Sequence, residues 1–437
     1  MQQPQLLKVA QGPLLFYLAL HAALFVFDLY HPDAFLRGDR AGPRLDLVIQ
    51  AQQAGFAGLG SLFLTTGLPG DYIVFVPFYA LFGQYGIILV QLLVGALTLL
   101  ITMKLAMTLG ASARTAAAAG ILYCLLPGSL MDPHLLVTEC FFTAAFAGAL
   151  WALADGAINT SRRSVWMGIG LLTLAAFIRP QALPLGLIAA VPLFLFSPRL
   201  RRDAVLAPLV WLVIFPGTWL LWRYLRVGEF GLGPSMFDIG VNLKIRADRM
   251  ALITPIPGWV PMDWSSPIPA RETVGDFLAL SVHYPRALLA TLVSDLMNFI
   301  ANPGANALFG IWLQFYTPSS DVFFWKHTID RGGLPAVLGE LFGNSSNVRL
   351  ALVFVVTAVL QVIAIVGAVL GLARVLRQRE LRPATSVLIL VCLAESAVVF
   401  VAGIVRWTHR APLEPIIAAL ALIGLAWLAR RRNQSTQ

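Results

Sequence analysis

The stretch LMDPHLLVTECFF, residues 130–142, decides how this chain is read. It sets Asp132, His134 and Glu139 against the start of an apolar run that continues to residue 154. Carboxylates at the edge of a membrane segment are costly and mark a partner or a water-filled cavity. Asp132-Pro133 has the form of a helix start, with the acid as cap and the proline in the first turn. Glu139 lies roughly a turn inside the apolar run, where a cap does not account for it. A helix continuing through both acids would put them on one face. His134 reads as an interfacial residue or a contact to substrate.

The rest of the chain supports a lipid setting. Of 437 residues, 58% are hydrophobic and 12% charged, where a soluble protein carries roughly a quarter charged. The net charge of +9 would suit nucleic acid, but the basic residues fall in short clusters between apolar runs. That is the positive-inside pattern, so no nucleic-acid partner is expected. Cys124, Cys140 and Cys392 sit in apolar segments without CxxC spacing, which excludes a disulfide framework or a zinc site. Lys8 precedes an apolar stretch with no small-residue cleavage site, so a retained first helix is expected.

Apolar runs at 12–30, 87–109, 114–131, 135–154, 165–178, 181–197, 204–222, 348–373, 384–405 and 413–429 are candidate spans. The fold class is therefore an all-α polytopic membrane protein of about 10–12 transmembrane helices. Three parts are expected: a module over 1–222 with a first outer loop at 31–86, an outer segment over 223–347, and a C-terminal part over 348–437 with a basic cytoplasmic tail. The runs 165–178 and 181–197 are short and meet at Arg179-Pro180, as in a helical hairpin. If the clusters at Arg162, Arg199–Arg202, Arg374–Arg382 and Arg430–Arg432 face the cytoplasm, both termini are cytoplasmic. The segment 223–347 then begins and ends outside and crosses zero or two times.

This topology gathers 31–86, 131–139, 179–180, 223–347 and 406–412 on the outer side, where arginines run against the usual bias. Acids and arginines mixed there suit an anionic substrate. In 31–86, LDLVIQAQQAGFAGL reads as an amphipathic helix on the membrane surface, and DYIVFVPFYALF as a short interfacial or re-entrant helix. Asp39 and Asp71 each follow a glycine, so both also read as turn or cap acids. Arg179 is a phosphate contact or a headgroup-snorkelling residue. Arg406 and Arg410, in RWTHRAP, suit a phosphate clamp. Asp295 and Glu395 lie in apolar stretches, where each would pair with an arginine or line a cavity. HExxH, Walker, GxSxG and GxGxxG patterns are absent.

Four segments together resemble one family. PGDYIVFVPFYALFGQYGIILVQLLVGALTLLI resembles the stretch joining the first loop to the second span in bacterial protein-mannosyltransferase-like proteins. HLLVTECFFTAAFAGALWALADG resembles their (T/S)E helix, GIGLLTLAAFIRPQALPL their hairpin, and RWTHRAPLEPIIAALALIGLAWL their last helix. These are the membrane-embedded GT-C glycosyltransferases, which include protein O-mannosyltransferases and the aminoarabinose transferase acting on lipid A. The resemblance covers about residues 1–200 and 384–432 and leaves 223–347 without a pattern. It implies an inverting transferase of the bacterial inner membrane, taking a sugar from a polyprenyl-phosphate donor on the periplasmic face. It implies Asp39 as the catalytic base and Glu139, or alternatively Asp132, as a second acid. The lysine that some members carry in the proline-aromatic segment is missing; the nearby polar residue is Asp71.

The chemistry also follows from the residue types. Phosphate is already a leaving group, so the enzyme must deprotonate an acceptor hydroxyl and steady the departing charge. Arg179, Arg410 and Arg406 are the candidates for that charge, with Asp71 and His134 as further substrate contacts. The acceptor is a glycolipid, polysaccharide or protein; the residues point to no particular cofactor, and a divalent cation is left open. The alternatives are a flippase for lipid-linked sugars, or an envelope polysaccharide polymerase or ligase. The topology is checked by reporter fusions. Alkaline phosphatase joined after residue 86 or 347 is expected to be active, and green fluorescent protein joined after residue 437 to fluoresce. Active phosphatase at the C-terminus would reverse the assignment.

Overall fold

A computed structural model describes residues 3–37, 41–66, 70, 72–228, 243, 246–251, 254, 270–301, 335, 339, 345–401 and 410–435. Among these residues the secondary structure is helical, with no strand. The first half holds α1 (Gln3–Tyr30), α2 (Ala41–Thr66), α3 (Tyr72–Phe82), α4 (Gln84–Thr108), α5 (Ala113–Leu125) and α6 (Pro127–Met131). Then come α7 (Glu139–Asn159), α8 (Arg162–Ala175), α9 (Leu185–Phe196), α10 (Arg201–Leu212) and α11 (Thr218–Val227). A π-helical turn, Val213–Gly217, joins the last two. The second half holds α12 (Ala270–His283), α13 (Pro285–Ala301), α14 (Ser345–Arg377), α15 (Arg382–Val401) and α16 (Glu414–Ser435).

Each apolar run expected from sequence has a helical counterpart. Six stretches among the described residues are long and apolar enough to cross a membrane: Lys8–Tyr30, Gln84–Thr108, Glu139–Asn159, Pro198–Val227, Val355–Arg377 and Ala411–Arg431. A seventh passage, Ala113–Leu125 with Pro127–His134, is bent by 63°. The bend falls where Pro127, without an N–H, cannot continue the ladder of α5. α8 and α9 have 14 and 12 residues, or about 21 and 18 Å of rise against roughly 30 Å of hydrocarbon. They form the expected hairpin, turning through Arg179 and a 3-10 turn at Pro180–Ala182. α2 is bent at Gly55, and α3 is the short helix expected around Pro77.

At the centre α7 packs on α4, α8 and α15, and α16 packs on α14, α5 and α4. The loops grouped by their arginines meet as expected. At one end Arg162 donates to Asp203 at 2.7 Å, and Arg377 and Arg431 lie over the Trp427 ring. The other end gathers the pieces expected outside. Leu136 N donates to Phe35 O, Arg179 pairs with Glu139, and Arg410 donates to Phe299 O.

One expectation needs correcting. No helix runs from Asp132 to Glu139, and Glu139 is the first residue of α7 rather than a turn inside it. A 3-10 turn, Asp132–His134, is followed by extended Leu135, so the two acids do not share a helix face. Asp132 makes no capping bond. Residues 131–140 are all buried, and irregular backbone at membrane depth survives only where protein groups satisfy it. Gln91 on α4 does much of this, its Nε2 donating to Pro133 O at 3.1 Å and Leu135 O at 2.9 Å. Gln91→Leu is therefore expected to cost about 1–3 kcal/mol. Thermal unfolding of the purified chain in detergent should show a midpoint several degrees lower; an unchanged midpoint would remove Gln91 from this role.

Candidate active site

The turn 132–139 delivers two acids into the bundle. Glu139 opens α7, where the helix dipole favours a negative charge. Arg179 closes an ion pair with it from the α8–α9 turn. The Arg179 Nε reaches Thr138 Oγ1 at 3.4 Å, and its guanidinium lies 5.4 Å from the centre of the Phe142 ring. Arg179 is thus spent on a carboxylate inside the protein rather than on headgroups. The turn at Gly70, next to Asp71, rests on the same hairpin. A Cβ at Gly70 would lie 2.7 Å from Phe177 O, and its φ is +33°, so glycine is required twice over.

Three further carboxyls surround this pair. Asp132 is buried and within electrostatic reach of Glu139, Glu414 and Arg179. Glu395 on α15 accepts from Gln181 Nε2 at 2.7 Å and feels the Arg179 charge. Glu414 begins α16 and accepts from Gly128 N at 2.8 Å, with Arg410 at 3.6 Å one turn before it. Asp132 Oδ1 and Glu395 Oε2 have no hydrogen-bond partner among the described residues, while Glu414 Oε1 faces Arg410 Nε. Buried acceptors are normally satisfied, so two open ones in one neighbourhood leave room for a donor.

A second, cationic group lies beside the first. Arg246 and Arg249 each donate to one oxygen of Asp295 at 2.7 Å. Arg246 also donates to Phe400 O. It is 1% exposed, and its Nε and Nη1 have no hydrogen-bond partner among the described residues. Burial draws the Arg246 guanidinium below its ordinary pKa range, against the opposing pull of Asp295; the group stays charged. The two groups are joined by Arg410, whose Nη1 donates to Phe299 O at 2.6 Å, and by contact of the Phe299 and Phe400 rings. Away from them, an open cleft of about 350 Å³ is lined by Phe177, Phe215, Thr218, Trp219 and Trp222. Phe177 is two residues from Arg179.

Of the residues expected at the site, Glu139, Asp132, Arg179 and Arg410 come together. Asp39, Asp71 and Arg406 lie outside the described residues. Phe35 and Arg44, on either side of Asp39, both bond the Leu136 peptide, through Phe35 O and through Arg44 Nη1 at 3.2 Å. His134 is turned to α1, its ring nitrogens bonded to Asp28 and His21. Sequence reasoning missed Glu414, whose signal was its spacing of four from Arg410. It also missed Arg246 and Arg249, in a stretch with no legible pattern. Asp295 and Glu395 were expected to pair with an arginine or line a cavity; Asp295 takes two arginines and Glu395 takes Gln181. Among the described residues, no group of three or more His, Cys, Asp or Glu is arranged to hold a metal ion.

No protein-family model matches the chain, and no curated protein matches it. Two solved structures are similar. The crystal structure of ArnT from Cupriavidus metallidurans bound to undecaprenyl phosphate gives a TM-score of 0.44 at 17% identity, over 96% of this chain and 79% of that one. The apo structure of the same protein gives 0.41 at 17% identity, over 95% and 78%. Likenesses of this strength carry no argument about the site, which rests on its own residues.

The Glu139–Arg179 pair makes a direct test. Arg179→Gln leaves a buried carboxylate unmatched and is expected to cost about 3–5 kcal/mol, most of it recovered by adding Glu139→Gln. Denaturant unfolding of the four proteins in the cycle measures this. Additive losses would mean the two side chains are not coupled.

Proposed function

We propose that the chain is a membrane glycosyltransferase that moves a sugar from a polyprenyl-phosphate donor to an acceptor hydroxyl, at the outer face. The observation that carries this reading is the pairing of two opposite environments at one end of the bundle. One holds three buried carboxyls, two of them with open acceptor oxygens, suited to sugar hydroxyls. The other holds a buried arginine with open N–H groups, suited to phosphate oxygens. The aromatic cleft running from Phe177 suits the first units of an isoprenoid tail.

In the reaction the acceptor oxygen attacks the anomeric carbon while a carboxylate takes its proton. The bond from that carbon to the phosphate oxygen breaks, and the phosphate leaves with the electron pair. One displacement inverts the anomeric centre. Asp39 is the base in this reading, by the family resemblance and by its place between Phe35 and Arg44, which both hold Leu136. Glu139, fixed by Arg179, orients the reacting hydroxyls together with Asp132. Arg246, Arg249 and Arg410 receive the charge that grows on phosphate; such preorganised donors are worth about 10²–10³-fold each.

The test is mass spectrometry of envelope glycolipids and glycoproteins from cells with the intact chain, without it, and with Asp39→Asn. A sugar substituent should disappear in the deletion. Asp39→Asn should lower its formation by about 10²–10⁴-fold at unchanged protein level. Full retention of the sugar in Asp39→Asn would remove the base, and an unchanged glycan profile in the deletion would remove the transferase.

A further inference from the structure

Behind the acid-bearing turn lies a second buried polar chain that the reaction does not use. His134 Nδ1 is bonded to an Asp28 carboxylate oxygen, and His134 Nε2 lies 2.8 Å from His21 Nδ1. The two imidazoles are nearly parallel, at 15°, and the Tyr17 ring packs against His21 with centroids 4.1 Å apart. Asp28, His134 and His21 are all buried, and His21 Nε2 has no hydrogen-bond partner among the described residues. Ionisable groups at membrane depth carry a large desolvation cost and persist where they have a task.

We propose that Asp28 and His21 are positioning residues that act through His134 to fix the turn carrying Asp132 and Glu139. The catalytic consequence rests on the transferase reading above; the positioning itself does not. His134 is two residues from Asp132 and belongs to the same 3-10 turn, so holding its ring holds the turn. Pro133 removes one backbone donor there, and the neighbouring carbonyls are already taken by Gln91. The His134 side chain is a further handle on the turn, and α1 supplies a partner to each of its ring nitrogens.

For a carboxylate Asp28 and a neutral His134, the contacts set which nitrogens carry the protons. Ionised Asp28 only accepts, so His134 carries its proton on Nδ1. A neutral His134 then accepts at Nε2, His21 donates from Nδ1, and His21 Nε2 keeps a lone pair. Asparagine can place an N–H where His21 has Nδ1, and leucine cannot. His21→Asn should therefore keep the clamp, and His21→Leu should release it.

Cys140 provides a native reporter. It follows Glu139, and its thiol donates to Gln91 O at 3.2 Å. The experiment uses the full chain in lipid nanodiscs, with Cys124 and Cys392 replaced by serine, and N-ethylmaleimide as probe. His21→Leu and Asp28→Leu should speed alkylation of Cys140 by about tenfold, the worth of one hydrogen bond. His21→Asn should match the parent, and all variants should keep the parent's unfolding midpoint within a few degrees. Nitrogen-15 spectra of labelled histidines should show Nδ1–H at both rings in the parent and a mixture in Asp28→Leu. Equal alkylation of His21→Leu and parent, equal acceleration in His21→Asn and His21→Leu, or a proton on Nε2 of neutral His134 would each overturn the proposal. If the parent transfers a sugar, His21→Leu should lower kcat with KM unchanged. If it transfers none, the transferase reading fails, and the alkylation and tautomer results still decide the clamp.

Discussion

Peptide groups in the run 131–140 must find partners inside the protein, because lipid offers none. That requirement organises the whole N-terminal half. The run is wholly buried and, between Met131 and Glu139, holds no α-helix beyond the single 3-10 turn Asp132–His134. Helical self-satisfaction is therefore not open to it. Its partners come from far along the chain: Gln91 on α4, Arg44 on α2 and the Phe35 carbonyl after α1. Each unsatisfied group would cost several kcal/mol in such surroundings, a large share of a protein's net stability. The first loop is thus pinned to α7, although nearly a hundred residues separate them in sequence.

Once the turn is pinned, charge sorting follows. Glu139 cannot stay buried alone, and Arg179 reaches it from the hairpin. Asp132, Glu395 and Glu414 add carboxyl groups to that side, while Arg246 and Arg249 share the single carboxylate of Asp295. One neighbourhood has acceptors to spare and the next has donors to spare. Mutual neutralisation would have been the simpler packing. Keeping them apart, with Arg410 and the Phe299–Phe400 contact between, leaves both able to bind something. A phosphosugar has hydroxyl donors at one end and phosphate acceptors at the other, and matches that polarity.

The sequence made the helices legible because apolar runs in lipid have few other outcomes. It also flagged Glu139 and Arg179, since a charge bordering such a run needs an explanation. The start of α7 was misplaced by four residues, because apolarity continues through 135–138 whether or not the backbone is helical. Only the long-range bonds from Gln91 and Phe35 settle that. Asp28 and His21 passed unremarked inside the first span, where the count of apolar residues outweighed two polar ones. Arg246 was invisible for a different reason. Nothing local distinguishes a surface arginine from one buried on Asp295, forty-nine residues away.

Helix length sets the depth of the site. α7 has 21 residues and α8 has 14, and the two pack side by side. The difference is roughly 10 Å of rise, so the hairpin tip lies below the end of α7. Arg179, in the turn between α8 and α9, brings its guanidinium to Glu139. A hairpin of full-length helices would have put Arg179 among headgroups, where a pair with Glu139 is screened and weak. The same hairpin has Phe177 facing Phe215 and Trp219, where these rings line the aromatic cleft. An ion pair and an aromatic cleft thus both border one short hairpin.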